Sequence, residues 1–202
     1  IVQRRNQNIT FVIASGNDGV RLRSMAVSVN AYQRMKNVIL VGAVGRTKKL
    51  FPWSNRPGEG CAYLNGTCNP KNKYKYFTVV APGGPIYAGL GNGGYGSAWG
   101  TSMAAPHVTG VVALLQGYWP VLKSRAGSVT NIIFHTAQDL GKKGVDPVYG
   151  WGLVRADRAL GPLGKKYVGK NNKVYSLSAS RLKVSPALSA LTTQSVTFFD
   201  GY

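Results

Sequence analysis

A chain of 202 residues with 44% apolar side chains, six Phe and four Trp has enough apolar content to bury one sizeable core, which excludes a disordered tail. No apolar run reaches the length of a membrane span and no basic-then-apolar leader follows Ile1, which leaves a soluble chain, whole or processed. Lys and Arg number 25 against six Asp and Glu, a net charge of +19; that excess fits a polyanion binder, a basic secreted protein, or part of an assembly whose other member is acidic.

Residues 1–7, Ile-Val-Gln-Arg-Arg-Asn-Gln, read as the last turns of an amphipathic helix. Ile9 to Ala14 is a nearly continuous apolar run, the pattern of a parallel strand buried on both faces. It empties into a glycine-bracketed turn, Ser15-Gly16-Asn17-Asp18-Gly19. Val38 to Val44 repeats the strand pattern, and Lys48 to Tyr76 is a long polar excursion. Thr78 to Ala81 gives a third strand, stopped by Pro82-Gly83-Gly84, and Gly89 to Gly96 reads as flexible. A long helix opens near Ser102 and ends at Pro120. Ser128 is placed to cap a further helix through Ala137, and a short helix is expected near Arg155 to Leu160. Strands alternating with helices predict an α/β domain with a parallel sheet and helices on both faces. After Gly164 the texture changes: Lys165 to Lys183 carries six positive charges and no acid. Val174–Leu177 and Ser195–Phe199 then alternate like β-structure. The domains are therefore 1–164 and a basic β-rich extension, 165–202.

The basic residues are scattered, at Arg4-Arg5, Arg21, Arg23, Lys48-Lys49, Lys71 to Lys75 and the extension. With no zinc finger, helix-turn-helix or RNP-like strand beside them, no nucleic-acid partner is expected. Cys61 and Cys68 frame six residues in a Gly-, Asn- and Pro-rich loop. A small disulfide in an oxidising compartment is favoured over two free thiols; a metal site would need ligands that the loop lacks. Asn8-Ile9-Thr10 and Asn65-Gly66-Thr67 match glycosylation acceptors.

The chemistry gathers at Gly100-Thr101-Ser102-Met103-Ala104-Ala105-Pro106-His107, where a serine sits at the mouth of an apolar helix. A serine that attacks an acyl carbon needs a base for its proton and donors for the oxyanion. This stretch closely resembles the serine motif of subtilisin-like proteases, and Ala14-Ser15-Gly16-Asn17-Asp18-Gly19 resembles that family's oxyanion turn. Val80-Ala81-Pro82-Gly83 lies between them and Tyr149-Gly150-Trp151-Gly152 beyond, so the resemblance spans roughly residues 9–160. Asp139-Leu140-Gly141 and Val145 to Gly152 look most like bacterial extracellular members, autotransporter passengers included.

The resemblance implies that Ser102 is the nucleophile of a secreted serine endopeptidase acting on proteins or peptides. Its backbone amide and the Asn17 side chain would hold the oxyanion, and Ala14, Ser15 and Gly16 would wall part of the substrate pocket. The base is harder to find. His107 and His135 are the two histidines of the chain; five residues along a helix turn His107 about 500° from Ser102, and His135 falls on a helix expected outside the sheet. In the family the triad's Asp and His precede the oxyanion Asn, so the expected partner is an N-terminal half carrying both, on a separate chain or an unlisted part of this one. Calcium is common in the family, but six scattered acids suggest no cage here, and no metal or cofactor is expected in this chain. The competing reading is a non-catalytic, basic binding subunit on the same fold.

Overall fold

The computed structural model describes residues 8–91 and 93–161, and the strand residues 165–167 and 174–176 beyond them. The first half holds β1 (Phe11–Ala14), β2 (Met25–Ala26), α1 (Val29–Arg34), β3 (Val38–Val44), β4 (Ala62–Tyr63) and β5 (Thr78–Pro82). A hairpin of β6 (Ile86–Gly89) and β7 (Tyr95–Ala98) follows, then α2 (Thr101–Tyr118), α3 (Ala126–Thr136) and the one-turn α4 (Ala156–Ala159).

β1, β3 and β5 make a parallel sheet with β3 in the middle, Phe11 lying opposite Val38 and Leu40 opposite Thr78. β3 reads Val-Ile-Leu-Val-Gly-Ala-Val, and Ile39, Val41 and Ala43 are fully buried. A continuous apolar run is what a strand covered on both faces requires. Because all three strands run the same way, their C-terminal ends gather the turns after Ala14, Val44 and Pro82 at one edge, where open α/β sheets bind ligands.

α2 packs against all three strands. Ala104, Val108, Val111, Val112 and Leu115 are its buried apolar side chains, a helical spacing that keeps one stripe on the sheet. Each large member contributes about 1.5–3 kcal/mol of burial. The helix ends where Trp119 donates its amide to Leu115 O and Pro120 opens a 3-10 turn.

The structure corrects two boundaries. α3 begins at Ala126 with no side-chain cap, because Arg125 O directly takes the amides of Ser128 and Val129; Ser128 lies inside the first turn. The ends of the glycine-rich stretch belong to a hairpin, with Ile86 opposite Ala98 and Gly89 opposite Tyr95. Tyr87 and Tyr95 stack across it at 5.9 Å.

Among the described residues β1 has no partner on its outer edge, and Ile9 and Ile13 are each 46% exposed. On the outer side of α2, Leu114 and Tyr118 are exposed as well. No helix among the described residues is long and apolar enough to cross a membrane. The chain divides into two compact units, 1–159 and 160–202, where composition placed the boundary after Gly164. The second contains an antiparallel hairpin of β8 (Lys165–Tyr167) and β9 (Val174–Ser176). The expected helix tail at 1–7 and strand at Ser195–Phe199 lie outside the described residues.

Candidate active site

β1 delivers its apolar residues to the core and then must turn, and the turn is built by one distant side chain. Asn55, 6% exposed, donates from Nδ2 to Ser15 O at 3.0 Å and to Asp18 Oδ2 at 3.2 Å. Its Oδ1 accepts the amides of Asp18 at 3.0 Å and Val20 at 3.1 Å. The Asn55 amide donates back to Gly16 O. Gly16 has φ +102°, and a Cβ there would collide with Asn55 Nδ2, so no other residue type fits. Sequence reasoning missed Asn55, which sits in the polar excursion with nothing nearby to mark it.

The second turn leads from β7 into α2. Gly100 adopts φ +148°, its amide donates to Gly83 O at 2.9 Å, and its carbonyl accepts the amides of Met103 and Ala104. Thr101 and Ser102 are thereby fixed as the first two helical residues. Thr101 is buried and Ser102 exposed. The Ser102 amide donates to no acceptor in the helix and makes no hydrogen bond among the described residues, as the first amides of a helix do not.

Thr101 ties the two turns together. Its amide donates to Asn17 Oδ1 at 2.9 Å and its hydroxyl to the same oxygen at 3.0 Å; the hydroxyl also accepts the Gly16 amide at 3.2 Å. With Oδ1 held twice, the amide plane of Asn17 is oriented and Nδ2 is left outward with no acceptor among the described residues. A Cβ placed on Gly100 would lie 3.5 Å from Asn17 Nδ2 and 3.6 Å from the Ser102 amide nitrogen. Asn17 Nδ2 and the Ser102 amide nitrogen therefore lie close to one point, and Ser102 itself is exposed. Such an arrangement can hold a negative oxygen on a carbon that the hydroxyl attacks.

Of the expected pocket wall, Ala14 and Gly16 are half-buried, whereas Ser15 is buried with its hydroxyl on Asn55 O at 3.2 Å. Ser15 thus presents backbone rather than side chain. The histidines are brought nowhere near Ser102 by hydrogen bonding. His107 Nδ1 contacts Met103 O at 2.8 Å and His135 Nδ1 contacts Asn131 O at 2.9 Å, each one turn back on its own helix. His135 also lies against Trp151, 4.9 Å between ring centres. Asp146 is buried, its carboxylate accepting the amides of Lys142, Val148 and Tyr149, so it folds its own loop. Among the described residues no three of His, Cys, Asp and Glu gather at one point.

Cys61 and Cys68 form the disulfide, with Cα atoms 6.1 Å apart. Cys61 is fully buried and its amide donates to Ser24 Oγ at 3.1 Å. Glu59, just before it, meets Lys73 at 2.6 Å and Lys75 at 2.8 Å. The two ammonium groups hold the Glu59 carboxyl down at about 2. Arg155 likewise lowers the Asp157 carboxyl.

The profile described as the Subtilase family matches residues 1–152. The chain is 37% identical over 119 residues to an extracellular serine protease of Serratia marcescens, covering 48% of this chain and 11% of that protein. It is 30% identical over 170 residues to the neisserial autotransporter lipoprotein NalP of Neisseria meningitidis, covering 77% of this chain and 14% of the relative. The self-cleaved protease domain of PatA superposes with a TM-score of 0.56 at 24% identity, covering 77% of this chain and 50% of that one. The chain therefore spans half of that solved protease domain and a small part of the two longer relatives.

Proposed function

Because the chain belongs to the subtilase family, we propose that it supplies the nucleophile and oxyanion hole of a secreted serine endopeptidase. The observation that carries the reading is the double anchorage of Asn17 Oδ1 on Thr101, which leaves Nδ2 free close to the Ser102 amide nitrogen. In the reaction Ser102 Oγ attacks the scissile carbonyl carbon, the carbonyl oxygen gains charge, and that charge falls between the two donors. The proton of Ser102 passes to an imidazole, which then protonates the leaving amine; water repeats the sequence on the acyl-enzyme.

That imidazole comes from outside these 202 residues. His107 and His135 are each engaged with their own helix, and among the described residues neither is hydrogen-bonded to a carboxylate. The partner in this account is the N-terminal half of a subtilase protease domain, carrying both groups. It has a place to sit: the open edge of β1 and the exposed apolar side of α2, with Ile9, Ile13, Leu114 and Tyr118 uncovered. An obligate junction of this kind buries more than about 2,000 Å². The disulfide and the extracellular relative from Serratia support a secreted or surface location. The test is hydrolysis of a casein-type protein substrate by the chain joined to that half. Activity that disappears in Ser102→Ala supports the reading; full activity in Ser102→Ala removes it.

A further inference from the structure

A second feature lies at the other end of the sheet. Lys36 stands two residues before β3, Tyr76 two residues before β5, and Arg125 just before α3. Between these points run two adjoining cavities of about 710 and 480 Å³ that share Lys36, Arg125 and Gly127. Lys71 lines the second, with Tyr76, Phe134 and Trp151 as its aromatic wall. Neither cavity has a carboxylate among its lining residues.

Lys36, Lys71 and Arg125 are exposed, and none is in an ion pair among the described residues. The ion pairs there join Glu59 to Lys73 and Lys75, and Asp157 to Arg155. Three cations thus face one groove with no opposing charge, in a chain that has six acids in all. A concave wall concentrates their field on whatever enters.

The aromatic wall narrows what that ligand is. Trp151 stacks on Phe134 at 5.8 Å and 6°, and His135 leans on it at 4.9 Å. Its Nε1 donates to Tyr76 O at 3.0 Å. Lys75 Nζ stands 5.7 Å from the Tyr76 ring centre. Phe134 and Trp151 are engaged with each other and with His135, and of the three rings only Tyr76 is exposed, so the groove offers one ring rather than the row of open rings on which single-stranded nucleic acids seat successive bases. What it offers is charge along a channel, which suits a flexible chain bearing carboxylates.

We propose that this groove is an exosite for acidic polypeptide segments. It rests on the peptidase reading for its purpose, since it then selects protein substrates that carry an acidic stretch. β3 spans seven residues, about 23 Å, between the groove and the edge that holds Ser102. An acidic segment seated in the groove reaches the nucleophile only through several extended residues, so long substrates profit and short peptides do not.

The experiment measures binding without hydrolysis, by fluorescence anisotropy on the chain joined to the N-terminal half and carrying Ser102→Ala. The probes are a fluorescein-labelled Glu-rich peptide, its Gln-rich counterpart and a thymidylate single strand. The Glu-rich peptide is expected to bind and the Gln-rich one not. In Lys36→Gln/Lys71→Gln/Arg125→Gln the affinity is expected to fall by at least about tenfold, while Arg46→Gln/Lys49→Gln/Lys143→Gln, which removes equal charge elsewhere, changes it by less than about twofold. Equal losses in the two triple variants would assign the binding to overall charge and overturn the proposal. So would groove-dependent binding of the single strand in preference to the Glu-rich peptide. Neither result depends on whether Ser102 is a nucleophile, so the two readings fail separately.

Discussion

Thr101 grips Asn17 twice, through its amide at 2.9 Å and its hydroxyl at 3.0 Å, both on Oδ1. In the proposed reading, the residue beside Ser102 thus determines which way the oxyanion donor Asn17 faces. A side-chain amide free to rotate would offer oxygen as readily as nitrogen to the developing charge. With its oxygen held, Asn17 offers only Nδ2. The arrangement is preorganised before substrate arrives, which is what makes such donors effective.

Asn17→Ala in the complemented enzyme is expected to lower kcat by about 10²–10³-fold with little change in KM, the loss seen when one oxyanion donor is removed from a subtilisin. Steady-state kinetics on a peptide substrate check this. A large rise in KM at constant kcat would make Asn17 a substrate-binding residue instead.

Thr101→Val keeps the backbone donor, removes the hydroxyl and leaves the Gly16 amide without its acceptor. A fall in kcat of about 3–10-fold is expected, the worth of one hydrogen bond. Thr101→Ser should restore the rate. If valine and serine behave alike, the hydroxyl does not position Asn17.

Asn55→Ala strips four hydrogen bonds from the turn that carries Asn17. It is expected to cost about 2–4 kcal/mol through unpaired backbone groups, read as a lowered Tm. Gly16→Ala should destabilise as well, since it adds a clash and a strained φ at one position. A wild-type Tm in both variants would show that the turn does not depend on Asn55.

How much of this was legible beforehand follows from where the signals lie. β3 matched its predicted bounds because a seven-residue apolar run between polar segments admits few other readings, and α2 was bounded by Gly100 and Pro120. Ser102 and Asn17 stand out in the sequence because their motifs are contiguous. The contacts that orient them are not: Thr101 reaches Asn17 across 84 residues and Asn55 reaches Asp18 across 37. No local pattern announces such pairs. The β6–β7 hairpin was hidden by the glycines that form its turn, and the start of α3 by a backbone cap in place of a side-chain one. Lys36, Lys71 and Arg125 looked like scatter because only the fold brings them to one groove.

Glu59 should titrate near 2, against 4.5 for a free side chain, because Lys73 and Lys75 favour its charged form. The folded-state value is depressed, so its contribution to stability is present above the ordinary carboxylate range and is lost as pH falls toward 2. Side-chain carboxyl NMR across that range checks the value. In Lys73→Gln the midpoint should move up; a midpoint near 4.5 in the unsubstituted chain would mean that the two ion pairs do not form in solution.

Reduction should add two hydrogens to the intact mass and release the loop between Cys61 and Cys68. Closing so short a loop stabilises by about 2–3 kcal/mol on chain-entropy grounds, so the reduced form should melt lower. Two alkylatable thiols before reduction would contradict the pairing.

The most direct test of the central claim is labelling by a serine-directed fluorophosphonate, with the adduct mapped by peptide mass spectrometry. Joined to the half that carries the Asp and His, the chain should take one adduct, on Ser102, and none in Ser102→Ala; by itself it should label far more slowly. An adduct on any other residue, or rapid labelling of Ser102 in the 202-residue chain alone, would contradict the account of a nucleophile and oxyanion hole waiting for an external base.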